Sequence, residues 1–217
     1  MEIVQANVNA STIVRNNDEC IGYIQPIPAT YRIVSYIASS WTQYINTGYT
    51  CNANTQIEAK ISWWTQTTKR WVFFWVTWND RSSDWVLWRI YGDISTTFNW
   101  WFCNTTHWEC QITTTLDTFH EIILKKNSCS IDWTSYTITT NSTPYGSPMD
   151  IFAWNNGWTH WWRWSIMKLK EFIISENWVE KRHFYPCYRV SDNVIWLYDL
   201  VNNQFYTNSW TWTFTKW

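Results

Sequence analysis

Short extended runs separated by turn-forming residues are the feature that most constrains how this chain can fold. From Tyr31 onwards, about a dozen runs rich in Ile, Val, Thr, Tyr and Phe alternate with clusters of Asn, Asp, Ser and Gly. Examples are RIVSYIA, TQIEAKIS, FHEIILKK, SIMKLKEFIIS and NVIWLYDL. β-Branched and aromatic residues suit pleated strands, and no segment carries a sustained helical stripe. The pattern predicts an all-β, antiparallel sandwich or barrel.

The run TQIEAKIS shows the strand period most clearly. Polar residues at 56, 58 and 60 alternate with apolar residues at 57, 59 and 61. Side chains two residues apart share one face of a strand, so this segment is expected to bury one face and expose the other.

The first 30 residues differ from the rest of the chain. They mix polar and apolar residues and end in QPIPAT, whose two prolines favour extended backbone. We predict an N-terminal extension or linker over 1–30, followed by a single domain over 31–217. A chain of 217 residues suits one domain plus a short extension.

Charge and hydropathy exclude several classes of partner. The chain carries 16 basic and 17 acidic residues, a net charge of -1. This balance gives no electrostatic basis for binding nucleic acid or an anionic membrane. The chain also lacks a run of about 18 apolar residues, so we expect no membrane insertion. The N-terminus shows no basic region followed by an apolar run, so no signal peptide is predicted.

Tryptophan is greatly over-represented and glycine is scarce. Trp occurs 22 times and Gly 5 times, whereas average glycine usage would give about 15. Several tryptophans follow Asp, Asn or Ser between two extended runs, where Asp-Gly or Asn-Gly hairpin turns normally occur. These dipeptides are Ser40-Trp41, Asp84-Trp85, Asn99-Trp100, Asp132-Trp133, Asn177-Trp178 and Ser209-Trp210. Trp71, and one of Trp100 and Trp101, instead fit aromatic strand positions.

Two interpretations of the tryptophans remain open. The chain is either a genuinely Trp-rich protein whose turns are not of the primed type, or many of these positions are glycine in the natural protein. A gene that uses UGA for glycine, translated with a table that reads UGA as tryptophan, would give this composition. A type I′ turn requires positive φ at both central residues, which glycine adopts freely.

Three segments resemble one family of modules. They are YIASSWTQYINTGYTCNANTQIEAKIS, DTFHEIILKKNSCSIDWTSYTI and the C-terminal stretch that begins HFYPCYRVSDNVIWLYDL. They resemble the laminin-G-like, concanavalin A-like jelly-roll modules of bacterial surface and phage structural proteins. Those modules have Gly where Trp41 and Trp196 stand, and near Trp210 and Trp212. The resemblance covers residues 31–217 and implies a jelly-roll sandwich.

The resemblance implies a non-catalytic recognition or adhesion module that binds a glycan or a surface protein. We expect it in a larger extracellular, cell-surface or virion assembly. A purely structural spacer without a ligand is the alternative. A glycoside hydrolase is the third possibility, but the paired carboxylates of such enzymes are missing. Glu58 stands alone on its strand, and Glu171 and Glu176 are expected to be solvated charges near a hairpin. His120 is expected to be a packed or hydrogen-bonded strand residue.

Candidate binding residues fall in two segments. In AWNNGWTHWWRW, Asn155, Asn156 and Arg163 could bond sugar hydroxyls. Calcium is a possible accessory ion, because laminin-G-like modules sometimes hold one. Its candidate oxygen ligands are Asn79, Asp80 and Asp84 in WNDRSSDW. An Asx-rich hairpin loop without a metal explains the same residues.

The six cysteines form no CxxC pair, so neither a zinc site nor a disulfide framework follows. Cys103 and Cys110 bracket a loop that a disulfide could close in an oxidising compartment. Two separate thiols beside a turn are an equally good interpretation.

Overall fold

The structure is a computed structural model that describes residues 2–5, 12–16, 19–24, 27–40, 43–63, 71–78, 80–89, 97–102, 111–137, 148–155, 160–161, 167–209 and 213–216. These residues form strands, turns and loops, and contain no helix. Within this part of the chain, therefore, no helix has the length and hydropathy needed to cross a bilayer.

The strands, in chain order, are β1 (Glu2–Gln5), β2 (Thr12–Asn16), β3 (Glu19–Ile24), β4 (Tyr31–Ile33), β5 (Ile37–Ala38), β6 (Ile45–Asn46), β7 (Thr55–Trp63), β8 (Trp71–Trp78), β9 (Asp80–Arg89), β10 (Thr97–Phe102), β11 (Gln111–Thr113), β12 (His120–Lys125), β13 (Ser128–Ile131), β14 (Thr134–Thr137), β15 (Asp150–Ile151), β16 (Trp154–Asn155), β17 (His160–Trp161), β18 (Met167–Glu176), β19 (Val179–Arg189), β20 (Ile195–Asp199), β21 (Gln204–Tyr206) and β22 (Thr215–Lys216).

These strands form three sheets. The largest has eleven strands, in the order β14-β13-β12-β7-β18-β19-β20-β21, with β4 paired to β19 and the pair β5–β22 attached to β18. A second sheet has the order β11-β10-β9-β8-β15-β6, with β16 paired to β8 and β17 paired to β16. The pairing of β16 with β8 is parallel, and the other pairs among the described strands are antiparallel. Strands β1–β3 form a small sheet of their own.

The two large sheets enclose one apolar core. Phe74 of β8 lies with its ring centroid 5.2 Å from that of Phe172 on β18, so the second sheet packs directly on the first. Ile45 and Ile151 of the second sheet belong to the same buried cluster as Ile57 and Phe184 of the first. The predicted all-β antiparallel sandwich is therefore confirmed.

The alternation predicted for TQIEAKIS is present in part of β7, because Gln56, expected on the polar face, is buried. Ile57, Ala59 and Ile61 are buried in the core, whereas Lys60 is exposed and Glu58 is half-buried. We call the face of the eleven-stranded sheet that carries Glu58 and Lys60 the outer face, because it points away from Phe74 and the core.

The first and last segments of the predicted domain are joined. Ala38 and Ile37 of β5 pair with Thr215 and Lys216 of β22. The fully buried Gln43 donates a 2.8 Å hydrogen bond to the Thr213 carbonyl. Strands β1–β3 hydrogen-bond, among the described strands, only with one another. The division between 1–30 and 31–217 remains a prediction.

Two of the predicted Asx-Trp turns are confirmed. Asp132 and Trp133 alone connect β13 to β14 with φ of 46° and 70°, and Asn177 and Trp178 alone connect β18 to β19 with φ of 49° and 68°. Positive φ at both central residues is typical of a type I′ hairpin turn. Both indoles are exposed, at 84% and 78%.

Two other predicted turns are wrong. Asp84-Trp85 lies within β9, and Asn99-Trp100 lies within β10. Continuous antiparallel pairing between these strands joins Trp100 to Leu87 and Phe102 to Trp85, so the chain does not reverse there. Trp71 is a strand residue, as predicted, and both Trp100 and Trp101 lie in β10, where one of the two was expected to fit a strand. Trp41 and Trp210, the second residues of the remaining two dipeptides, lie outside the described residues.

Candidate functional site

A β-bulge on the outer face brings the main polar groups together. The core-facing residues of β18 are Met167, Leu169, Phe172 and Ile174, so the apolar spacing lengthens by one residue after Leu169. The register against β7 shifts at the same point, between Leu169 and Glu171. Lys170 and Glu171 therefore both lie on the outer face, although neighbouring strand residues normally point to opposite faces. Bulges commonly redirect side chains in this way beside functional sites.

Glu171 is the centre of a cluster of four side chains, which we call the Glu171 cluster: Lys60, Glu171, His183 and Tyr185. Tyr185 Oη donates a 2.5 Å hydrogen bond to Glu171 Oε1, and His183 Nε2 lies 3.0 Å from the same oxygen. Lys60 Nζ donates to Oε2 at 2.7 Å. The His183 and Tyr185 rings stack with centroids 4.9 Å apart. Strands β7, β18 and β19 thus each contribute to one compact polar group.

These contacts fix the charges of the cluster. The hydrogen bond from His183, together with those from Lys60 and Tyr185, outweighs burial and lowers the pKa of Glu171 to about 2. Burial alone would lower the pKa of His183, but its contacts with the Glu171 and Glu180 carboxylates raise it overall. The side chains of Glu171 and His183 are 13% and 15% exposed, so both still reach the surface of the sheet.

A buried carboxylate holds the β19 end of this cluster in place. Asp199, which is fully buried, accepts a 2.9 Å hydrogen bond from the His183 backbone N–H and a 2.6 Å bond from Asn202 Nδ2. Arg182 Nε lies 3.6 Å from Asp199 Oδ2, the oxygen that accepts from Asn202. The His183 carbonyl accepts a bond from Leu200 N. These hydrogen bonds therefore fix the position of the His183 backbone.

A second group lies next to the Glu171 cluster along β18. It consists of Tyr36, Phe119, Lys168 and Lys170, and we call it the lysine–aromatic patch. Lys170 Nζ lies 4.1 Å from the centre of the Phe119 ring, and Lys168 Nζ lies 5.7 Å from that of Tyr36. The two rings are 5.6 Å apart. Cation–π contact of this kind orients an ammonium group at a surface.

His120 occupies a separate, structural site, and the prediction that it is a hydrogen-bonded strand residue is confirmed. Its ring is 4% exposed and packs on Trp63 at 4.8 Å. Nδ1 lies 2.5 Å from Asp132 Oδ2, and Nε2 lies 2.8 Å from the Thr115 carbonyl. Because a carbonyl can only accept, Nε2 carries a proton. His120 thereby joins the 114–119 loop, β12 and the β13–β14 hairpin.

The structure locates only part of the sites predicted from sequence. Asn155 ends β16 and pairs with His160 of β17, whereas Asn156 and Arg163 lie outside the described residues. Asp80 begins β9 and Asp84 lies within it, while Asn79 also lies outside. Among the described side chains, no group of three or more His, Cys, Asp or Glu could hold a metal ion. The glycan-binding residues and the calcium site remain predictions.

Three of the cysteines lie in the core of the protein. Cys51, Cys129 and Cys187 are buried. Burial raises the pKa of Cys187 to about 12, so its thiol stays protonated and is a poor nucleophile. Cys103 and Cys110, the candidate disulfide, lie outside the described residues.

Sequence reasoning missed the Glu171 cluster. Glu171 was expected to be a solvated charge near a hairpin. That expectation is wrong, because Glu171 lies inside β18 and is held by three donors. The signal in the sequence is the three-residue step from Leu169 to Phe172 in MKLKEFIIS, which interrupts an alternating strand and marks a bulge. The predicted hairpin at Asn177-Trp178 implies that β18 pairs with β19, but not the bulges that set its register. No pattern in the sequence pairs β18 with β7 and so brings Lys60 to Glu171.

Comparison of the chain with protein-family models, with curated proteins and with solved structures finds no match.

Proposed function

We propose that the chain is a non-catalytic recognition or adhesion module that binds a glycan or a surface protein through the outer face of its eleven-stranded sheet. The observation that carries this proposal is the Glu171 cluster. It presents a carboxylate, an imidazole and a phenol in fixed positions at the sheet surface. Sugar hydroxyls are bonded by planar polar groups, and pyranose rings stack on aromatic rings.

The charge state of Glu171 supports binding over hydrolysis. A glycosidase needs a carboxylic acid with a raised pKa to protonate the leaving oxygen. Glu171 has a pKa of about 2, so it is an acceptor of hydrogen bonds at neutral pH and a poor proton donor. Incubation of the protein with β-glucans should release no reducing ends; release that is lost in Glu171→Gln would favour the hydrolase.

The spacer function also has an observation in its favour. The polar atoms of Glu171 and His183 already have partners within the chain, so the cluster is stable without a ligand. A glycan array separates the two functions. Binding that Tyr185→Ala abolishes, and that the distant exposed variant Lys126→Ala retains, supports recognition. Absence of binding to every glycan, with and without calcium, supports the spacer.

We further propose that the protein belongs to an extracellular, cell-surface or virion assembly, as its resemblance to laminin-G-like modules implies. The chain alone should then be a folded unit that its parent assembly displays. Immunogold labelling of the source cells and of any virions they release would test this placement. Labelling confined to the cell interior would contradict it.

We also propose that many of the tryptophans stand where the natural protein has glycine, through UGA decoding. Trp133 and Trp178 occupy the second position of turns in which both central residues have positive φ. In addition, Trp196, one of the positions where the resembling modules have Gly, has a buried indole N–H without a hydrogen-bond partner in the described structure. Such a group costs about 1–3 kcal/mol.

The coding DNA tests the decoding proposal directly. We expect codons 133, 178 and 196 to be UGA. The intact mass of the protein from its native source should match a chain with glycine at these positions. UGG at all three codons would contradict it.

A further inference from the structure

The lysine–aromatic patch has a charge that the fold does not neutralise. Lys168 Nζ lies 3.4 Å from Asp117 Oδ1, and Asp117 is 60% exposed, so this ion pair is weak. Lys170 is exposed, and among the described residues no carboxylate lies within ion-pair distance of its ammonium. Its ammonium instead rests on the Phe119 ring at 4.1 Å.

The bulge is what places this ammonium on the outer face beside Glu171. Lys170 is the residue that the register shift inserts between Leu169 and Glu171. A regular strand would point Lys170 and Glu171 to opposite faces. Here the ammonium of Lys170 and the carboxylate of Glu171 lie on one face of the sheet, although the two residues are adjacent in the chain. Neighbouring side chains position each group separately.

The surface beyond Glu171 carries three further carboxylates, which limits what the lysines could bind. Glu58 and Glu121 act electrostatically on Lys60, and Glu180 contacts His183 at 3.1 Å. A polymer that carries a negative charge on every unit would meet these carboxylates as soon as it extended past the patch. The distribution favours a ligand with one anionic group and neutral, hydroxyl-bearing units beside it.

We propose that the lysine–aromatic patch is the subsite for the carboxylate of an acidic sugar residue, with Lys170 as its principal contact. The Glu171 cluster would accept and donate hydrogen bonds to the hydroxyls of the adjoining neutral sugars. This inference rests on the proposed function, since it assigns a ligand class to the same face. Contact with the ring already orders the lysine side chain, so it loses less conformational entropy when it binds a ligand. This favours a charge-assisted hydrogen bond from the ammonium to a carboxylate.

Matched pairs of oligosaccharides test the subsite on the full chain. The probes are xylotriose with and without a single glucuronate branch, and sialyllactose with lactose, measured by titration calorimetry at low and moderate salt. We expect the acidic member of at least one pair to bind about tenfold more tightly. Lys170→Gln should remove that preference while the neutral member still binds, and the exposed turn variant Lys126→Gln should retain it.

The outcomes separate the subsite from the proposed function. Equal binding of the acidic and neutral members overturns the subsite and leaves glycan recognition standing. A preference that Lys170→Gln does not change also overturns it. Tighter binding of a heparin fragment, again dependent on Lys170, would replace the single-carboxylate ligand with a polyanion. Failure to bind every oligosaccharide overturns the proposed function and the subsite together.

Discussion

Two histidine–carboxylate pairs in this protein use the same chemistry for different purposes. His120 pairs with Asp132 beneath a hairpin turn, and its ring is 4% exposed while the carboxylate is 50% exposed. His183 pairs with Glu171 on the outer face of the same sheet, where both side chains are slightly exposed, at 15% and 13%. The first pair hides its imidazole, whereas the second presents imidazole and carboxylate together.

The difference lies in what the second ring nitrogen contacts. In His120, Nε2 faces the Thr115 carbonyl, so both nitrogens are used to join segments of the chain. In His183, the other nitrogen faces Glu180, which is 49% exposed, and a ligand could displace such a surface contact at little cost. Burial with full use of polar atoms therefore marks a structural histidine, and a fixed pair at the surface marks a candidate binding group.

Replacing His120 should have the largest effect on stability. His120→Ala leaves a cavity against Trp63 and removes a partner from the Thr115 carbonyl and from Asp132. We expect the free energy of unfolding to fall by about 4 kcal/mol, measured by urea denaturation. The matched variant His183→Ala should cost clearly less, because that ring is at the surface. Equal losses would contradict the contrast between the two pairs.

Lowering the pH should reduce the free energy of unfolding, because Glu171 becomes protonated. Its folded pKa of about 2 lies below the ordinary glutamate value of 4.5, so its stabilising contribution is fully present above pH 4.5 and is lost as pH falls towards 2. The shift corresponds to at most about 3 kcal/mol. Denaturant titrations between pH 5 and 2 should show a shallower decline in Glu171→Gln. Parallel pH profiles for the two proteins would count against the network.

Introducing glycine in the two hairpins should stabilise the chain modestly. Trp133 and Trp178 have φ of 70° and 68°, where a residue with a β-carbon is disfavoured. Trp133→Gly and Trp178→Gly should each raise the free energy of unfolding by about 1 kcal/mol. Ser135→Gly, in the exposed strand β14, is the control and should lower stability. A loss of stability in both tryptophan variants would contradict the turn geometry.

The smallest effect should come from the titration of His183. Its pKa is raised by Glu171 and Glu180 against the opposing effect of burial. Its contribution to stability is therefore present below the unfolded pKa and is lost as pH rises through the folded pKa. An NMR titration should find the His183 ring still protonated at a pH where a free histidine is mostly neutral. Glu171→Gln should lower that midpoint. An unchanged midpoint would contradict the effect of Glu171 on the pKa of His183.

How far the sequence predicts this fold differs between its elements. The alternation in TQIEAKIS correctly gave the core-facing residues of β7, because the period of a strand is a local property of the backbone. It did not predict that Gln56 on the other face is also buried. The preference of Asx-containing dipeptides for tight turns, a second local property, located the hairpins at Asp132-Trp133 and Asn177-Trp178. It failed at Asp84-Trp85 and Asn99-Trp100, where pairing between β9 and β10 overrode the local turn preference.

The sequence by itself determined that this chain forms antiparallel strands and determined where two of its tight turns occur. Both follow from side-chain period and from the φ that each residue tolerates. Only the tertiary structure decided which charged residues meet. Glu171 and His183 are twelve residues apart on two neighbouring strands. Lys60 precedes Glu171 by 111 residues. Their contact depends on strand order and on a one-residue bulge, which are set by packing of the whole core.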